Sequence, residues 1–137
     1  MVRELMHDPE FLSKVSEPAT PEDIQVGEDL METLLTYKER CVGMGANMIG
    51  VCKRIIVFKN GDTYMTMYNP EILKKEGPYD AEEKCLSLLG GPRPCKRYQT
   101  IEVKWQTAEF ETRVATFSGF PAQIIQHEVD HCDGILI

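Results

Sequence analysis

Gln126-His127-Glu128-Val129-Asp130-His131 holds two of the chain's three histidines. On a helix, residues four apart lie one turn above another on the same face. His127 and His131 can then present two imidazoles to one metal ion, with Glu128 beside them to take a proton from bound water. The plain alternative is a pair of core or surface histidines next to a solvated acid. Two histidines of three, set at ligand spacing around a glutamate, favour the metal. A third ligand is then needed, and the six residues after His131 do not readily supply it. Cys132 and Asp133 follow one and two positions on, off the metal-facing side of the helix. Soft or borderline ions favour thiolate, which leaves Cys41, Cys52, Cys85 and Cys95 as candidates. Cys41 and Cys52 bracket a Gly-rich apolar segment and read as packing. Cys95 closes Gly90-Gly91-Pro92-Arg93-Pro94 and reads as part of a loop. Cys85 lies in Glu82-Glu83-Lys84-Cys85-Leu86-Ser87.

The elements that must position these residues can be traced along the chain. Thr20-Pro21-Glu22-Asp23 predicts a helix start, with Thr as cap, Pro at the first position and acids in the first turn. Val26, Leu30, Met31, Leu34 and Tyr37 follow at helical spacing, to an end near Arg40, and Gly27 costs this helix up to ~1 kcal/mol relative to Ala. Ile55-Ile56-Val57-Phe58 and Tyr64-Met65-Thr66-Met67-Tyr68 flank the hairpin turn Asn60-Gly61. Pro70 is expected to end or edge the second strand. Ile101, Val103 and Trp105 alternate with Glu102, Lys104 and Gln106 as a half-buried strand, and Phe110 to Phe117 should pair with it. Ser118-Gly119-Phe120-Pro121 opens a last helix that runs through His131 and stops before Gly134. The sum is an α+β fold, a mostly antiparallel sheet packed around a buried C-terminal helix.

Length and composition set limits. The 137 residues fit a single domain over 1–137 with a core of its own. Net charge is −7 and no Lys/Arg run is long enough to track phosphates, so no direct nucleic-acid binding is expected. No apolar stretch approaches the ~20 residues of a membrane span, and Met1 to Phe11 lacks the apolar centre of a secretory signal. Five cysteines, odd in number and irregularly spaced, point to a reducing, cytoplasmic compartment.

Three separated segments resemble the three motifs of the peptide deformylases. The last helix, through Gly134, is similar to their metal-binding helix. Glu83-Lys84-Cys85-Leu86-Ser87 is similar to their Glu-Gly-Cys-Leu-Ser. Cys41-Val42-Gly43-Met44-Gly45-Ala46-Asn47-Met48-Ile49-Gly50-Val51 looks like their Gly-rich motif, normally Gly-x-Gly-Leu-Ala-Ala-x-Gln-Ile-Gly. His7-Asp8-Pro9 and Asn69-Pro70-Glu71-Ile72 also read as family landmarks, so the likeness spans nearly the whole chain in the family's order. The resemblance implies Cys85 as third ligand with His127 and His131, and one divalent ion, most often ferrous iron, with zinc or nickel able to take the site. It implies hydrolytic removal of the N-formyl group from peptides that begin with formyl-methionine. Glu128 would shuttle the proton, and the backbone N–H of Leu86 would help hold the oxyanion. Gly43, Met44, Gly45, Met48, Gln123 and Ile124 would meet the substrate. The implied partner is a formylated peptide, with ribosome association as a further option and no membrane.

The chain departs from the pattern at Met48, where the family places a glutamine that donates to the oxyanion. Methionine has no N–H to donate, and losing one such donor typically slows an enzyme about 10²–10³-fold. Asn47 or Gln123 could stand in. Gly45 replaces an alanine and should loosen its segment. Lys84 replaces a glycine and would be strained at positive φ. Cys132 reads as a small buried hydrophobe, with a redox-sensitive thiol as the alternative. Besides a slowed deformylase, two other roles fit: a metalloprotein that acts on another N-acylated substrate or only binds formylated chains, and a purely structural metal. Glu128 and a three-ligand set disfavour the last.

Overall fold

A computed structural model of the chain describes residues 1–85 and 91–136. In chain order it holds α1 (Pro9–Leu12), a 3-10 turn (Pro21–Asp23), α2 (Ile24–Thr36), β1 (Gly43–Gly45), a second 3-10 turn (Ala46–Ile49), β2 (Ile55–Asn60), β3 (Thr63–Glu83), β4 (Arg93–Gln106), β5 (Thr112–Ser118) and α3 (Gly119–Cys132). The strands form one antiparallel sheet in the order β1-β2-β3-β4-β5. This is the α+β architecture expected from the sequence.

β2 explains the layering. Successive strand residues point to opposite faces. Ile55 and Val57 therefore join Leu30, Leu34, Met44, Met48 and Tyr68 on the α2 side. Ile56 and Phe58 join Met67, Ile101, Val103, Trp105, Ile125 and Val129 on the α3 side. Covered on both faces, β2 reads in sequence as an unbroken apolar run. Its hairpin partner begins at Thr63, which pairs with Asn60 across the Asn-Gly turn. None of the helices among the described residues is long and apolar enough to cross a membrane.

Pro70 does not end the second strand, contrary to the expectation, because β3 runs on to Glu83. The ladder with β4 shifts register between Tyr68 and Glu71, and Asn69 adopts φ +54°. The bulge takes Pro70 out of the ladder at the point where its missing N–H would matter. Asn69 fixes it: Nδ2 donates to Ala19 O (3.0 Å) and Gln106 Oε1 (2.6 Å), and Oδ1 accepts from Ala19 N (2.7 Å). Cys95, expected in a loop, pairs within the sheet opposite Ala81. The strand after Trp105 begins at Thr112 rather than Phe110, which sits in the preceding turn at φ +58°.

α3 is locked to β4 by Gln126, whose Oε1 accepts from Tyr98 N (2.8 Å) and whose Nε2 donates to Tyr98 O (2.9 Å). The side chain mimics a strand neighbour and sets the depth of the helix on the sheet.

Gly27 has a role that helix propensity does not show. A Cβ there would overlap Tyr68 Oη, which donates to Ile24 O at 3.0 Å. Propensity alone says that Gly27→Ala stabilises α2, whereas overpacking typically costs about 1–3 kcal/mol. We expect the clash to dominate and the urea midpoint to fall; a midpoint unchanged or raised would refute the packing account.

Candidate metal centre

Two elements that end in the same place build the site. α3 brings His127, Glu128 and His131 to one buried face. The long β3 delivers Glu83 and, two residues beyond, Cys85. One donor atom each from Cys85, His127 and His131 lies within 4.8 Å of the others. All three residues are nearly enclosed, at 9%, 8% and 4% exposed.

The protonation chemistry of this trio suits a cation. Burial alone would raise the Cys85 thiol, but hydrogen bonds with both imidazoles bring it down to about 7. Burial would lower His127, yet its contacts with Cys85 and Glu83 raise it to about 9. Three soft or borderline donors that hold one another's protons can exchange those protons for a divalent ion. The residues present therefore fit a metal.

Behind His127 stands a buried ionic network. His127 Nδ1 lies 2.7 Å from Glu83 Oε1, which leaves Nε2 as the nitrogen that could meet a metal. Arg97, 4% exposed, donates through Nε to both Glu83 oxygens (3.0 Å each), through Nη2 to Oε1 (2.6 Å) and through Nη1 to Asp130 Oδ2 (2.7 Å). Gln123 Nε2 adds a bond to Glu83 Oε2 at 2.8 Å. Burial opposes the charge on Glu83, but hydrogen bonds from His127, Arg97 and Gln123 hold its carboxyl well below the usual carboxylate range. A carboxylate on the remote nitrogen of a ligating histidine fixes its tautomer and ring orientation.

Glu128 is 3% exposed, and its Oε1 lies 3.2 Å from His131 Nδ1. Gly43 permits this placement, because a Cβ there would come within 2.6 Å of Ile124 Cγ2 and 3.0 Å of Glu128 Oε2. The contact with His131 holds the Glu128 carboxylate inside the site.

A cavity of about 450 Å³ opens beside the trio, lined among others by Arg40, Cys41, Gly43, Met48, Gln123, Ile124, Cys85, His127 and Glu128. Of the residues expected to meet substrate, Gly43, Met48, Gln123 and Ile124 are on this wall. Met44 and Gly45 are not: alternation along β1 turns Met44 into the α2-side core, and Gly45 is buried with the Cβ of His131 3.5 Å from its own Cβ position. The Leu86 N–H lies outside the described residues. Both stand-ins for the missing glutamine donor have other partners. Asn47 Nδ2 donates to His131 O (3.1 Å) and the Gln123 amide to Glu83. Lys84 is not at positive φ; among the described non-glycine residues only Asn69 and Phe110 are. Cys132 is 1% exposed and burial pushes its thiol up to about 12, which favours packing over redox chemistry.

Sequence reasoning missed Arg97 as partner of Glu83 and Gln126 as clamp of α3. Both depend on which β4 residue faces α3, and no local pattern announces that register. Cys41 also was read as packing, yet it lines the cavity, where its thiol donates to Gly43 O at 2.9 Å. Burial, then the nearby Glu128 carboxylate, pushes that thiol up to about 12.

Residues 2–137 match the family model described as Polypeptide deformylase. A peptide deformylase of Clostridium beijerinckii is 52% identical over 137 residues, all of both chains. One from Heliobacterium modesticaldum is 36% identical over 134 residues, 96% of this chain and 87% of the relative. Among solved structures, the class I type b peptide deformylase of Acinetobacter baumannii with Met-Ala-Ser bound superposes with TM-score 0.88 at 28% identity, covering 99% of this chain and 97% of that one. The Thermotoga maritima enzyme does so with TM-score 0.88 at 30% identity, covering 99% and 95%.

The network predicts that Glu83→Gln weakens divalent-metal affinity about 10–100-fold while His127 and His131 stay in place. Competition against a chromophoric chelator measures it, and an unchanged affinity would show that Glu83 serves only Arg97.

Proposed function

This chain belongs to the polypeptide deformylase family, and from that premise we propose how its own residues carry out the reaction. The protein is an enzyme of that type, which removes the N-formyl group from nascent peptides. Cys85, His127 and His131 are the proposed ligands, and Glu128 the proposed acid and base. A divalent ion held there, ferrous iron by family resemblance with zinc or nickel able to replace it, would act as a Lewis acid and bring the pKa of water down to about 7.

β1 offers the substrate a rail. Lys59 N donates to Val42 O at 2.8 Å, so Val42 and Lys59 form a hydrogen-bonded pair, and the next pair, Gly43 and Phe58, does not. The N–H and C=O of Gly43 therefore point away from β2, along the open edge of the sheet and beside the cavity. An extended peptide can add there as a strand, once its N–H displaces the Cys41 thiol from Gly43 O. The Acinetobacter baumannii relative was solved with Met-Ala-Ser bound, which supports a short peptide as ligand.

In the chemical step Glu128 takes a proton from the attacking water as its oxygen bonds to the formyl carbon. Glu128 then gives that proton to the amine as the C–N bond breaks, so formate leaves and the peptide keeps a free amino group. The oxyanion lacks a side-chain amide donor at Met48, and the Leu86 N–H is the proposed backbone donor. The working place of this reaction is the cytoplasm, where nascent chains emerge, and ribosome association is the matching partner proposal.

The observation that carries this reading is the buried Glu128 beside the Cys/His/His trio. The test is formate release from a formyl-Met peptide by metal-analysed protein kept anaerobic and reduced. No formate above a Glu128→Ala control would end it. Met48→Gln is expected to raise kcat by about 10²-fold by restoring the donor; no gain would favour another N-acylated substrate.

A further inference from the structure

The side chain of Met48 does more than leave out an amide. It is 1% exposed and lines the same cavity as Cys85, His127 and Glu128. Its Sδ accepts from the Cys85 thiol, with the two sulfurs 3.8 Å apart. Two sulfur–metal bonds of about 2.3 Å that meet at a tetrahedral angle hold their sulfurs about 3.8 Å apart. Resting on the metal-centre reading above, we propose that the Met48 thioether is a fourth protein donor, making the centre Cys85, His127, His131 and Met48.

The turn that carries Met48 is built to hold that position. Asn47, its neighbour, donates to the carbonyl oxygen of His131 at 3.1 Å, so the turn is fastened directly to the ligand-bearing end of α3. Met48 O accepts from Met6 N at 2.7 Å, and Val51 N closes the turn on Ala46 O at 3.1 Å. A thioether is a soft, neutral donor, and its addition shifts preference toward thiophilic ions. It also competes for the coordination position that catalytic sites leave to water, whereas four protein donors are the mark of a closed site. Met48 thus slows hydrolysis twice over: it offers the oxyanion nothing, and it contests the place of the attacking water.

X-ray absorption at the metal edge reads the donors directly, without reliance on turnover. Zinc-loaded wild-type protein is compared with Met48→Leu, which keeps apolar volume, and with Cys85→Ser. Two sulfur scatterers per zinc in wild type and one in Met48→Leu are expected. The preference for cadmium over zinc, from competition titration, should fall at least tenfold in Met48→Leu. One sulfur in wild type, lost only in Cys85→Ser, with an unchanged cadmium preference, would overturn the fourth donor and leave the three-ligand centre standing. No sulfur on zinc in any of the proteins would overturn both.

Discussion

The structure turns on one buried carboxylate. Glu83 comes from the end of β3, Arg97 from β4 and His127 from α3, and their charges meet where each is at least nine-tenths enclosed. A carboxylate, a guanidinium and an imidazole taken out of water are costly unless each is paired with good geometry. Arg97 meets both oxygens of Glu83 and also Asp130, one residue before His131, so its side chain ties the sheet to α3 directly and, through Glu83, to His127. Such an arrangement leaves the helix few depths and rotations. Gln126, paired with the backbone of Tyr98, removes most of what freedom remains.

From that lock the rest of the centre follows. With Nδ1 of His127 engaged, its other nitrogen faces Cys85 and the cavity. Glu128, one residue on, is carried against the Gly-rich strand, and only a glycine at position 43 leaves room for it beside Ile124. The peptide group of the same glycine turns away from β2, where the Cys41 thiol donates to its carbonyl oxygen. The meeting of Glu128, the Cys85/His127/His131 trio and β1 around one cavity therefore follows from how deep α3 sits, and the buried network sets that depth.

The parts legible in the sequence were those that local periodicity or a short motif encodes. The spacing of His127, Glu128 and His131 gave a helix with one metal-facing side, and Asn60-Gly61 gave the hairpin. Cys85 was recoverable only through its motif, since four upstream cysteines competed for the place. What stayed hidden depends on partners far away in the chain. The bulge that carries β3 past Pro70 exists because Asn69 finds Ala19 and Gln106. The value of Gly27 lies in Tyr68, and Gln123 reaches across to Glu83. Met44 looked like a pocket residue until the register of β1 turned it inward. In each case the backbone tendency was readable and the third dimension reversed its meaning.

On the proposed mechanism, Met48 separates affinity from speed. Strand pairing along Gly43 contributes equally to the bound substrate and to the transition state, so it supports binding without accelerating the reaction. An amide aimed at the oxyanion contributes only once charge develops there, and a coordination position free for water matters only to the chemical step. Replacing that amide by a thioether removes the second kind of interaction and leaves the first untouched. The polar network around Glu83 lies on the opposite side of His127 and does not depend on the residue at 48. On the proposed mechanism the change is confined to the chemical step.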